Sequence, residues 1–124
     1  MALIKQEISD EVKEQENCKR QYEAEKLQCN KSLEQAEKLK SQLIKINSEL
    51  STIIDSMSKN FYMGNKTGDN GKIELINQRT IKIIKKLNET IIPNIKSRIN
   101  ELSRNINSLQ SQIDNQKYKM NELK

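Results

Sequence analysis

Histidine and tryptophan are absent from this 124-residue chain; glycine (three), proline (one), cysteine (two) and phenylalanine (one) are scarce. The absence of histidine removes the usual general base and the commonest metal ligand. Two cysteines without histidine make no zinc set. All three glycines, Gly64, Gly68 and Gly71, fall together, so no glycine-rich phosphate loop occurs elsewhere. The expectation is therefore a non-enzyme without catalytic residue, cofactor or metal site.

Long hydrophobic runs are missing too. No segment approaches the roughly 20 apolar residues that cross a bilayer, and the opening MALIK lacks the apolar centre of a signal peptide. This predicts a cytoplasmic address, unless the chain is a piece cut away from a membrane segment. Only 34% of residues are apolar and 31% are charged, which argues against a compact globule and for extended helices with a thin core.

What the chain has is periodicity. Ile92, Ile95, Ile99, Leu102, Ile106, Leu109, Ile113, Gln116, Met120 and Leu123 alternate by three and four. As heptads, Ile92, Ile99, Ile106 and Ile113 take position a, and Ile95, Leu102 and Leu109 take d. A 3.5-residue repeat of this length keeps one stripe against a partner helix. Upstream, Ala36, Leu39, Leu43, Ile46, Leu50, Ile53 and Met57 make a second seam, with Leu43 and Leu50 at a, Ile46 and Ile53 at d. Carried toward the N-terminus, that frame puts Ile8, Gln15, Tyr22 and Cys29 at a, but Ile4, Glu11, Cys18 and Glu25 at d, a weaker seam.

Phe61–Lys72 (FYMGNKTGDNGK) holds every glycine with Asn and Asp, residues that support turns. The fold expected is all-α: a helix over about 3–60, a loop at 61–72 and a helix over about 73–123, folded into an antiparallel hairpin within one coiled-coil module. Folding back sets Met57 opposite Ile76, Ile53 opposite Thr80, Leu50 opposite Ile83 and Ile46 opposite Leu87, making Leu50 and Ile83 core positions. Ile73, Ile81, Ile84 and Ile91 then remain partly outside, an incentive to recruit further helices. Two hairpins forming a four-helix bundle near the loop would cover them. The apolar steps run 4-4 from Leu87 to Ile95 and Pro93 removes a donor there, so the helix should be disturbed near Asn88–Ile92.

Charge is uneven. Residues 1–40 carry eight Lys or Arg against nine Asp or Glu, and residues 41–124 carry fourteen against eight. Arg79, Lys82, Lys85 and Lys86, interleaved with isoleucines, could meet an anionic membrane surface or nucleic acid. A buried stripe flanked by solvated lysines explains the same pattern. Of three glycosylation sequons, at Asn30, Asn65 and Asn88, only Asn65 lies in the expected loop.

Cys18 and Cys29 stand eleven residues apart, about 16 Å along one helix, too far to bond to each other. Across a parallel partner each could meet its twin; otherwise both are reduced residues of the seam. The segment CKRQYEAEKLQC resembles the cysteine-bearing coiled coils near the membrane of tetherin-like type II membrane proteins, over residues 18–29. That resemblance implies a disulfide-linked parallel dimer outside the cytosol that tethers or organises membranes. The glycine-bearing break at 64–71 departs from an uninterrupted rod. The function expected is an oligomerisation, scaffold or tethering module, with a second copy or another coiled-coil protein as partner. The alternatives are the disulfide-linked ectodomain and the basic anionic-surface helix.

Overall fold

The computed structural model describes residues 2–60 and 69–123, and every described element is helical. Helix α1 runs Ala2–Asn60 and helix α2 runs Asp69–Lys86. A π-helical segment, Leu87–Ile91, joins α2 to α3, Ile92–Glu122. The architecture is a helical hairpin. Helix α2 begins four residues before the expected start, taking in Gly71. A glycine costs about 1 kcal/mol against alanine in a helix interior. Here it sits in the first turn, whose N–H groups have no intrahelical partner anyway. Turn-forming composition alone placed that turn in the loop. Asn65 lies outside the described residues.

The chain divides into two compact units, Met1–Ser32 with Ile95–Lys124, and Leu33–Asn94. In the first, cross-helix contacts fix an antiparallel course. Gln116 Nε2 donates to Glu11 (3.1 Å), Gln15 Nε2 to Gln112 (3.2 Å), and Lys19 Nζ to Gln110. Arg98 Nη2 meets Glu25 Oε1 at 2.7 Å. As numbers rise on α1 they fall on α3. Beneath these polar pairs, Val12, Leu102 and Ile113 are buried, Leu102 completely. Polar side chains thus define the register of a seam with few apolar members, and lysine stems cover part of the rest: Lys19 and Lys26 are half-buried.

In the second unit the inward residues of α1 are Leu33, Ala36, Lys40, Leu43, Asn47, Leu50, Ile54 and Met57. Those of α2 and the π segment are Ile73, Asn77, Thr80, Ile84, Leu87 and Ile91. On both helices these are positions a and e of the repeat, taking Thr80 and Leu87 as a. The expected a and d facing is corrected here. Thr80 and Leu87 are buried, but Ile76, Ile83, Ile46 and Ile53 are all 44–50% exposed. Leu50 is half-buried on the seam while Ile83 is not a core residue. The rotation has a physical reason: it brings in Ile84 and Ile91 of the e row, two of the four isoleucines expected to lie partly outside, while Ile73 stays inward at a. Thr80, buried without a cross-helix partner, satisfies its hydroxyl by donating to the Ile76 carbonyl at 2.8 Å.

The π segment reconciles two frames. The inward rows 73, 80, 87 and 77, 84, 91 would continue to 94, 101 and 98, 105. The rows facing α1 in α3 are instead 95, 102, 109 and 92, 99, 106, 113, each one residue later. A π turn inserts one extra residue, and the Ile92 N–H bonds back to the Leu87 carbonyl, five residues away. Pro93 follows at once. It offers no N–H to the Glu89 carbonyl and crowds it, so the ladder is already broken at the place where widening occurs.

Candidate helix-contact surface

The seam residues expected from the heptads separate into two sets. Leu43 and Leu50 of α1 are half-buried, as are Ile95, Ile99, Ile106 and Leu109 of α3; Leu102 and Ile113 are buried at 0% and 2% exposure. Ile46 and Ile53 stand outside, with Leu39 one heptad before them at the same exposure. On α2 the same phase holds Ile76 and Ile83. Position d lies about 50° from a, on the side away from e. Two antiparallel helices that face each other through a and e carry both d rows on the same side of the pair. Leu39, Ile46, Ile53, Ile76 and Ile83 therefore form one apolar face of the second unit.

The level of these residues follows from Lys40, whose Nζ donates to Asn88 Oδ1 at 2.7 Å. Counting forward from Lys40 and back from Asn88 brings Ile46 level with Ile83, and Ile53 level with Ile76, within one residue. The opposite flank carries Glu37, Ile44 and Ser51 on α1, with Glu74, Ile81 and Asn88 on α2. It is mostly polar, so the apolar face is one-sided.

Arg79, Lys82, Lys85 and Lys86 are all exposed on α2. They lie on its outer surface, away from α1, and Leu75 is exposed among them. The seam itself carries unpaired polar atoms: Asn47 Oδ1 and Asn77 Oδ1 are buried with no partner among the described residues. Each costs about 1–3 kcal/mol relative to a satisfied group. Buried asparagines of this kind trade stability for register in helical seams. In the first unit Gln15 Oε1 is likewise buried without a partner among the described residues, while charges at the surface pair across the helices. The Arg98 guanidinium is held above its usual pKa by its hydrogen bonds to Glu25 and then to Glu101.

Cys18 and Cys29 are both free thiols, Cys18 exposed and Cys29 half-buried on the inward row of α1. A thiol reagent should therefore modify Cys18 several-fold faster than Cys29, since access to the sulfur limits the rate. Timed alkylation of the Cys18→Ser and Cys29→Ser variants, read by mass, measures this. Equal rates would mean that the inward row does not shield Cys29.

The e row was the feature that sequence reading passed over. Leu33, Asn47 and Ile54 occupy it beside Lys40, and in the first unit it continues through Val12, Lys19 and Lys26. Its signals were Val12, Leu33 and Ile54, apolar residues that the a/d frame left without a place, and Val12 is buried. Among the described residues no group of acidic, cysteine or histidine side chains could hold a metal ion. No described helix is long and apolar enough to cross a membrane. The chain matches no protein-family model, no curated protein and no solved structure.

Proposed function

We propose that this chain is a non-enzymatic helical module that self-associates, serving as an oligomerisation, scaffold or tethering element. The observation that carries this reading is the apolar face of the second unit: Leu39, Ile46, Ile53, Ile76 and Ile83 in one phase on two adjacent helices. Scattered exposed isoleucines are ordinary on protein surfaces, but a periodic cluster on one face has the form of an unfilled helix seam.

Positions a and d together make the core of a four-helix bundle, while e and g flank its neighbouring seams. The hairpin fills a and e only. Its d rows are thus placed where a second pair of helices would close the core. Burying the remaining half of a Leu or Ile side chain is worth about 0.8–1.5 kcal/mol. Ten such residues in a dimer give about 8–15 kcal/mol gross, against an association cost of about 4–15 kcal/mol. The two are comparable, so association is reversible and set by concentration.

Sedimentation velocity across a concentration series tests the reading. The parent chain should pass from monomer to a larger species. Ile46→Asp and Ile83→Asp should each hold it at monomer while helical circular dichroism stays within a few per cent of the parent. A parent that stays monomeric throughout would sink the proposal. So would an Ile83→Asp variant that assembles as well as the parent.

A further inference from the structure

We infer that the second copy docks on this apolar face with its 60/69 end beside that of the first, so that α1 of each copy lies against α2 of the other. This rests on the self-association reading above and adds the orientation. Two face-to-face arrangements bury the same d residues and differ by a twofold axis. With the axis along the helices, α1 packs on the second copy's α2, and every neighbouring pair is antiparallel. With the axis across them, α1 packs on α1 and α2 on α2. Apolar burial does not separate the two; charge does.

The side chains that flank the new seam are the g positions, next to d on the side away from a. On α1 these are Gln42 and Glu49; on α2 they are Lys72, Arg79 and Lys86, all exposed. Glu49 lies nine residues after Lys40 and Arg79 nine before Asn88, and Lys40 bonds Asn88, so Glu49 and Arg79 stand at one level of the hairpin. Within one chain both point outward along the same face and form no ion pair with each other or with any other described residue. An axis along the helices preserves level, and therefore sets Glu49 of each copy beside Arg79 of the other, twice. By the same count it sets Gln42 beside Lys86, an amide carbonyl beside a cation. The crosswise axis instead lines the α2–α2 seam with Lys72, Arg79 and Lys86 from both copies and no carboxylate. Like charges along a seam are the usual device by which helical assemblies exclude an orientation. The placement of cations on α2 and of Glu49 on α1 therefore selects the arrangement with α1 against α2.

The test is a charge-reversal cycle on the full chain, kept reduced, with dimer Kd read by sedimentation equilibrium at low salt and folding checked by circular dichroism. Glu49→Arg and Arg79→Glu should each raise Kd about tenfold, since two exposed pairs per dimer become repulsive. The double variant should return Kd to within about threefold of the parent. High salt should shrink all of these differences. Tighter dimerisation of Arg79→Glu alone would overturn this orientation in favour of the crosswise one. Additive loss in the double variant, or assembly into trimers or larger species, would overturn it as well. In each of those outcomes self-association itself would stand. A parent that never assembles would remove both the orientation and the reading beneath it.

Discussion

Leu102→Asp should abolish the folded unit formed by residues 1–32 and 95–124. Leu102 has no exposure at all, and the other buried apolar side chains among the described residues of this unit are few: Val12 and Ile113. Truncating a buried leucine costs about 2–5 kcal/mol. Introducing a carboxylate adds the cost of an unpaired buried charge. A seam two helices thick, with polar residues supplying much of its register, has little apolar area to offset that loss. Thermal melting followed by circular dichroism should show the cooperative transition lowered by well over 10 °C or lost, given the few degrees per kcal/mol typical of small domains. Leu27→Asp is the control, because Leu27 is 55% exposed on the same unit, and its melting point should stay near the parent's. Equal melting points for the Leu102 and Leu27 variants would refute the assignment of Leu102 to the core.

The second large effect concerns the π segment. Deleting Glu89 together with Pro93→Ala should leave the hairpin folded, with a melting point within a few degrees of the parent's. The deletion removes the extra residue of the π turn, and the inward rows of α2 and α3 then follow one another in a regular helix. Deleting the exposed Asn100 should be severe. It turns every later residue by about 100° against Ile92, Ile95 and Ile99. Leu102, Ile106, Leu109 and Ile113 then leave the seam, at about 1.5–3 kcal/mol for each side chain fully exposed. Melting curves of the two deletions give the comparison. Comparable destabilisation by both would mean that the π turn does not absorb the phase difference between the two frames.

Part of this could be read from residue order. The 4-4 spacing between Leu87 and Ile95 and the presence of Pro93 located the irregularity, because a phase change in an apolar repeat must be taken up by the backbone somewhere. The structure shows how it is taken up, by a π turn in which the Ile92 N–H bonds to the Leu87 carbonyl. The long repeat of α3 was equally legible, since from Ile92 to Ile113 both of its rows are isoleucine and leucine and only one stripe collects them. The frame of α1 was harder. Its a row from Ala36 to Met57 is apolar and lies inward in either facing, but d holds Leu39, Ile46 and Ile53 while e holds Leu33, Asn47 and Ile54. By composition d is the better seam, and the hairpin uses e.

Periodicity determined that the chain is helical and that Leu43, Leu50, Leu102 and Ile113 lie on seams, and the cluster of glycines determined where it folds back. Those follow from local spacing, which any helix must obey. Which of two flanking rows turns inward depends on the partner helix. Rotating α1 and α2 about their axes trades Ile46, Ile53, Ile76 and Ile83 for Ile54, Ile84 and Ile91. That trade is decided by the summed burial of both helices at once. Only the tertiary structure carries that sum, and it leaves the displaced isoleucines together on one face.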